Sequence, residues 1–358
     1  MKILIDARFT RTDHHDGISR YGASLIAAVA KIADVSMLIS DPRQLALLPD
    51  VPYTLISSPL SPAELFVARK VNKLNADVVV CPMQTMGTWG RKYGLVLTLH
   101  DLIYYEHPAP PGFLPAPVRI LWRLYHKAFW PQRLLLNRAD VVATISRTTE
   151  ALMAKYRLTS RPVRIVSNAP QPAQQPRDPE TAPEKTLLYM GSFMPYKNVE
   201  TMLAGMAQLP GYTLHLLSRI TPQRRAELEP LIPSGANVVF HNGVTDDEYT
   251  ELLKRTTALV SLSKAEGYGL PLVEAMALGT PVIASDIPIF REVGANAASY
   301  VDPESPAAFA DAVQELSDAA HWRDISRCSV ARAGQFSWDE SARQLVDVAA
   351  EVLALRGK

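Results

Sequence analysis

A chain of 358 residues, 47% of them hydrophobic, can bury a large core and is long enough for two domains of ordinary size. Its 37 basic and 36 acidic side chains leave a net charge of +1, which excludes a general electrostatic attraction to nucleic acid. The two cysteines, Cys81 and Cys328, lie in different halves and read as buried thiols of a reducing compartment, not as a disulfide.

The N-terminal "MKILIDARFT" carries one Lys and a short apolar run broken by Asp6, which suits a buried strand better than a secretory leader. No stretch approaches eighteen uninterrupted apolar residues, so no transmembrane helix is predicted and a cytoplasmic location is expected. Further apolar runs, "DVSMLIS", "ADVVVCP", "GLVLTLHD" and "ADVVATIS", read as buried strands. Helical periodicity occupies 18–32, 61–75, 117–136 and 147–156 between them. Strands that alternate with helices predict a parallel sheet covered on both faces. The proline-rich "APQPAQQPRDPETAPEK", 169–185, has no apolar period and reads as a linker. The alternation then resumes with "TLLYMGS", "YTLHLLS", "NVVFHNG", "ALVSLS" and "TPVIASD". The expectation is α/β: a doubly wound domain over 1–168, a second over 186–335, and a C-terminal helix from 336 that crosses back to the first. Open parallel sheets bind ligands at the carboxyl ends of their strands, so each candidate site should follow a strand.

The segment "SKAEGYGLPLVEAMALGTPVIAS", 263–285, places Glu266 and Glu274 on either side of a glycine-punctuated strand-to-helix turn, with Pro271 at the helix start. Gly267 and Gly269 let the main chain approach a ligand, and bare N–H groups at a helix start suit an anion. Carboxylates accept two hydroxyl protons from vicinal diols, so the pair suits sugar rings on either side of a diphosphate. In "LLYMGSFMPYKNVETML", Lys197 stands at the entry to a helix as a point charge for phosphate, with Asn198 as its cap. No cluster of His, Cys and Asp suggests a metal, so none is expected. "DARFTRTDHHDGISRYGASLIAAVA" runs from strand through loop into a helix near Gly17, with Arg20 in its first turn as a second candidate cation. In "GLVLTLHDLIYYEHP", His100 and Asp101 follow a buried strand, and the Asp could orient the imidazole.

As a unit, "EGYGLPLVEAMALGTPVIAS" resembles the signature of retaining glycosyltransferases of family GT4, which have the two-domain GT-B fold of facing Rossmann-like domains and use nucleotide sugars. The resemblance is close over 185–345 and looser before it. It implies that Glu266 contacts the donor sugar, Glu274 the ribose, and the backbone of Gly267, Tyr268, Gly269 and Leu270 the diphosphate. It adds Gly191, Ser192 and Lys197 around the phosphates, with Arg219, Val244, Ser263, Gly17 and Asp101 also on the donor. His100 would sit at the sugar's reactive end, either stabilising positive charge at the anomeric carbon or orienting the ring. The chain departs from the family at Ser192, where Arg is commonest; Arg219 or Arg20 could replace the lost charge. By the same resemblance His100, Glu266 and Lys197 form the catalytic set and hinge closure excludes water. The donor is GDP-mannose or, as runner-up, a UDP-hexose, and the acceptor is a glycan or a lipid-linked glycan of bacterial surface polysaccharide. A sugar-binding protein and a scaffold with a degenerate transferase fold are the rival classes.

Two other stretches stand out. "APVRILWRLYHKAFWPQRLLLNRAD" interleaves Arg119, Arg123, Lys127, Arg133 and Arg138 with Trp122, Tyr125, Phe129 and Trp130, and has no acid before Asp140. Its plainer reading is core packing with solvated bases; the alternative is peripheral contact with the inner membrane surface through 117–138. "FSWDESARQLVDVAAEVLALRGK" predicts a helix opened by a Ser337–Glu340 capping box, with Trp338 as a packing residue.

Overall fold

The computed structural model describes residues 1–110, 116–171 and 175–357. It divides into two compact units, Met1–Ala169 with Ser337–Lys358, and Pro170–Phe336. Cys81 and Cys328 thus fall in different units, and both are free.

In the first unit the elements run β1 (Lys2–Asp6), α1 (Gly17–Val29), β2 (Asp34–Ile39), β3 (Tyr53–Leu55), α2 (Val67–Val71), β4 (Val78–Cys81) and β5 (Gly94–Leu99). They continue with α3 (Ile103–Glu106), α4 (Ala116–Tyr125), α5 (Trp130–Leu136), β6 (Val141–Thr144), α6 (Arg147–Lys155) and β7 (Val163–Ile165). The seven strands are parallel, in the order β3-β2-β1-β4-β5-β6-β7. Ile5 at the centre pairs with Met37 on one side and Val80 on the other. Strands buried on both faces need apolar side chains at every position, which is why β4, β5 and β6 read as continuous runs.

The second unit runs β8 (Glu184–Tyr189), α7 (Val199–Gly205), β9 (Thr213–Leu216), α8 (Pro222–Leu228), β10 (Asn237–Phe240), α9 (Asp246–Arg255) and β11 (Thr256–Ser261). It ends with α10 (Leu270–Ala277), β12 (Val282–Ser285), α11 (Pro288–Gly294), β13 (Ala298–Val301), α12 (Pro306–Glu315) and α13 (Ala319–Ala333). Its parallel sheet has the order β10-β9-β8-β11-β12-β13. The last helix, α14 (Trp338–Leu355), belongs to the first unit. Trp338, Ala342, Leu345, Ala349 and Val352 form its buried stripe, and Trp338 meets Tyr21 of α1 edge-on at 5.9 Å. Gly94 is required where α14 crosses β5, since a Cβ there would lie 2.3 Å from Val352 Cγ1.

Several expectations need correction. The strands β3, β7 and β13 had no continuous apolar run because they are edge strands with half-exposed side chains. The helix expected over 117–136 breaks after Tyr125, and Pro131 opens a second helix near its start, so Lys127 is no longer on one helical face with Arg119 and Arg123. Cys328 is exposed, because α13 turns Trp322, Ser326 and Ser329 inward. Only half of the capping box forms: Ser337 accepts from the Glu340 N–H, while the Glu340 carboxylate pairs with Arg343 at 2.7 Å. Of the expected linker, residues 172–174 lie outside the described residues, and the part that follows is anchored. Arg177, 8% exposed, donates from its guanidinium to the Thr256 and Thr181 carbonyls and from its backbone N–H to Leu278 O, and stacks 4.4 Å over Trp322. Among the described residues, no helix is long and apolar enough to cross a membrane.

Candidate active site

The strand order of the second unit reverses between β8 and β11, the two central neighbours, and in open parallel sheets such a reversal point is where ligands bind. Lys197 lies on the loop after β8 and Glu266 on the loop after β11. Their side chains meet: Lys197 Nζ donates to Glu266 Oε1 at 2.5 Å, with 15% and 13% of the two side chains exposed. Ser263 Oγ donates to the same carboxylate oxygen at 2.8 Å. The two loops are also stitched through the backbone, from Lys264 N–H to Tyr196 O at 2.8 Å.

Asn198 fixes the direction in which Lys197 leaves. Its backbone is left-handed (φ +58°), a conformation that Asn tolerates better than most residues. Its side chain does not cap α7, as the sequence suggested, but donates to the Leu262 and Pro303 carbonyls, pinning the first loop to the second. The bend costs little because the bonds hold it.

The start of α10 lacks a side-chain cap. Gly269 occupies the cap position at φ +96°, and a Cβ there would approach the Phe290 ring to 2.9 Å. Leu270 is the first helical residue and Pro271 the second, one position later than expected; Pro has no N–H to satisfy. Gly267 and Tyr268 are buried, and Tyr268 packs edge-on against Phe336, so burial pushes its hydroxyl pKa up. Glu274 stands one turn into the helix, half-buried. An ammonium and an uncapped helix start favour an anion, and the carboxylates favour hydroxyl donors.

The remaining donor-side candidates of this unit spread around the reversal point. Gly191 N–H donates to Ser218 Oγ at 3.0 Å, and a Cβ on Gly191 would meet the Tyr189 hydroxyl at 2.7 Å. Ser192 is exposed, and its carbonyl accepts from Tyr189. Arg219 follows β9, exposed and without a carboxylate partner among the described residues, and its stem lies along Gly243 beside Val244. Sequence reasoning missed Arg224 of α8, which donates to Phe193 O and pairs with Glu200 and Glu227. Its signal was faint, an ordinary i,i+3 pair with Glu227, and its two acids leave it no surplus charge for a phosphate.

In the first unit the order reverses between β1 and β4. Gly17 opens α1 behind its cap Asp16, which accepts from Ser19 N–H; the space beside the Gly17 Cα is open. Arg20 lies half-buried in the first turn, and His15 is tied to Ser19 Oγ at 2.8 Å. His100 follows β5. Its Nε2 lies 2.7 Å from the Pro82 carbonyl, and Tyr21 meets the ring edge-on at 5.0 Å. A carbonyl only accepts, so Nε2 carries the proton and Nδ1 is the acceptor of the neutral ring. Burial lowers the imidazole pKa below its ordinary value, keeping it neutral near pH 7. Pro82 thus supplies the orienting bond that the sequence suggested for Asp101, which instead accepts from Ile103 N–H. A cavity of about 230 Å³ adjoins the ring, lined among others by Gln84, Asp101, Tyr104, Trp122 and His126. Among the described residues, no three His, Cys, Asp or Glu side chains cluster to hold a metal.

Comparison with known proteins agrees with this fold. Residues 19–172 match the family described as Glycosyltransferase Family 4, and residues 171–325 match Glycosyl transferases group 1. The O-antigen chain mannosyltransferase RfbU of Salmonella typhimurium is 25% identical over 84% of this chain and 87% of its own length. The O-antigen chain mannosyltransferase B of Escherichia coli is 31% identical over 45% of this chain and 44% of its own. Among solved structures, sucrose-phosphate synthase from Thermosynechococcus elongatus superposes with a TM-score of 0.73 at 21% identity, covering 99% of each chain. Anabaena HepE in complex with UDP and glucose gives 0.70 at 17% identity, covering 98% of this chain and 99% of its own. The binding-protein reading does not account for transferase matches along most of the sequence. The chain belongs to the GT-B glycosyltransferases of family GT4 and is mannosyltransferase-like among them.

Proposed function

We propose that this enzyme is a retaining transferase that moves mannose from GDP-mannose to a glycan or lipid-linked acceptor in surface-polysaccharide assembly. The observation that supports this reading most is the Lys197–Glu266 contact at the sheet's reversal point, beside the uncapped start of α10. In the resting protein Glu266 holds the ammonium. An arriving diphosphate takes Lys197 over, and the carboxylate, still steadied by Ser263, is freed to accept from hydroxyls of the donor sugar. Glu274 takes the ribose diol.

As the bond from the anomeric carbon to the diphosphate breaks, the electron pair leaves with the phosphate oxygen. Lys197, handed over from Glu266, and the α10 amides then meet that developing charge, which is where positioned donors contribute most. The acceptor hydroxyl attacks from the face the diphosphate leaves, and its proton passes to a diphosphate oxygen. His100 contributes a neutral ring with a free Nδ1 lone pair for the sugar. The reaction as proposed calls for no metal, since Lys197 and the helix start meet the leaving-group charge.

The O-antigen mannosyltransferases among the relatives favour mannose. The complex of HepE with UDP-glucose motivates the second reading, a UDP-hexose donor. Incubation with GDP-mannose and with UDP-glucose, with and without EDTA, separates them through slow hydrolysis of the donor that fits. NMR of the transferred sugar reports retention. If neither donor binds or turns over, the reading fails.

A further inference from the structure

We propose that the exposed faces of α4 and α5 dock the protein onto an anionic lipid surface. Both helices are fixed from within. Trp122 meets Tyr104 edge-on at 4.8 Å, the Tyr125 hydroxyl donates to Gln132 at 2.7 Å, and Phe129 stacks on both Tyr105 and Tyr156. Their outer sides nevertheless expose Ile120, Leu121, Leu124, Trp130 and Leu134, each more than half accessible. Isolated apolar side chains on a surface need no explanation, but a run of five on consecutive helices marks a surface that something covers.

The charges indicate what covers it. From residue 107 to residue 139 the chain has five Lys and Arg and no Asp or Glu. Arg119, Arg123 and Lys127 have no ion-pair partner among the described residues, and Asp140 at the far end is held by Arg91 and Arg356. At about 100° per residue, Ile120, Leu121 and Leu124 share one sector of α4 while Arg119 and Arg123 share the adjacent one. That is the arrangement of a helix lying in a bilayer interface, apolar side chains among the acyl chains and bases at anionic headgroups. A second copy of the chain fits poorly, because a two-fold interface would set this basic surface against itself. The inward side of α4 carries Trp122 into the wall of the His100 cavity, so a docked surface lies about one helix diameter, roughly 10 Å, from that cavity. A lipid-borne acceptor would be delivered beside it; this last step alone rests on the proposed function.

Co-sedimentation of the full chain with phosphatidylcholine vesicles, and with phosphatidylcholine–phosphatidylglycerol vesicles, tests the docking. The wild type should bind the mixed vesicles about tenfold or more tightly than the neutral ones, and raised salt should weaken the difference. Arg119→Glu with Arg123→Glu should remove that preference. Ile120→Ser with Leu121→Ser and Leu124→Ser should lower binding to both vesicles about tenfold, with melting temperature and donor hydrolysis in solution unchanged. Equal binding to neutral and anionic vesicles, unchanged binding in the variants, or a dimer that the triple variant abolishes would each overturn the proposal. Donor hydrolysis that persists while vesicle binding fails would leave the transferase reading standing.

Discussion

Replacing Glu266 by Gln should separate two tasks that the resting ion pair joins, gripping the leaving group and holding the sugar. Lys197 and Glu266 are 2.5 Å apart. At an effective dielectric of about 20 that contact is worth about 7 kcal/mol before desolvation offsets most of it. The quantity that matters is the repulsion an incoming diphosphate feels from the carboxylate. A unit charge about 6 Å away contributes about 3 kcal/mol at that dielectric and about 0.7 kcal/mol in water. The pair is neither dry nor fully wet, so we take about 1–2 kcal/mol, or about 5- to 30-fold in affinity. Glu266→Gln should therefore bind free GDP about 5- to 30-fold more tightly in a calorimeter. The donor sugar meanwhile loses a charge-assisted hydrogen bond of about 1.5–3 kcal/mol, so transfer should fall about 10- to 150-fold. UDP is titrated in parallel, which keeps the test independent of the base. Lys197→Met should weaken nucleotide binding, and the double variant measures the coupling. If Glu266→Gln binds both nucleotides no better than the wild type, the ion pair is not the diphosphate site and the reasoning fails.

Gly269→Ala puts a Cβ on a left-handed residue 2.9 Å from the Phe290 ring, so stability should fall by about 1–3 kcal/mol, lowering the melting temperature, and kcat/KM should drop with it. Arg177→Ala removes two bonds to carbonyls and the stacking on Trp322, and should cost the second unit about 2–4 kcal/mol in a urea titration; a loss below about 0.5 kcal/mol would contradict the anchoring role. Burial lowers the His100 pKa from 6.5, so the unfolded chain binds the proton more readily than the folded one. Its stabilising contribution is complete above that ordinary value and fades as pH falls through it toward the lowered one. In His100→Gln the loss of stability between pH 7 and pH 5 should be smaller than in the wild type, and transfer should fall with little change in nucleotide affinity.

The centre of the second unit could be read directly because β11 and β12 are buried on both faces. The runs "ALVSLS" and "TPVIASD" became β11 and β12, and the glycines between them marked a close backbone approach. What stayed hidden depends on groups distant in sequence. Nothing local says that Lys197 would touch Glu266, 69 positions away, or that Pro82 would orient His100. The edge strands escaped because solvent relaxes the demand for apolar side chains, and β13 carries Ser299 and Tyr300 in mid-strand. Arg177 sat in a stretch whose composition reads as linker, yet a single planar cation found carbonyls and an indole face to settle on.

The membership of α14 in the first unit bears on how the polypeptide matures. Residues 1–169 emerge from the ribosome before the second unit, but the surface of α1 and β5 that Trp338, Leu345 and Val352 cover stays bare until Ser337–Lys358 arrive. The contiguous segment Pro170–Phe336 can complete its core earlier. The half that is synthesised first is therefore finished last, and in the interval it presents a greasy seam to chaperones and to neighbouring nascent chains.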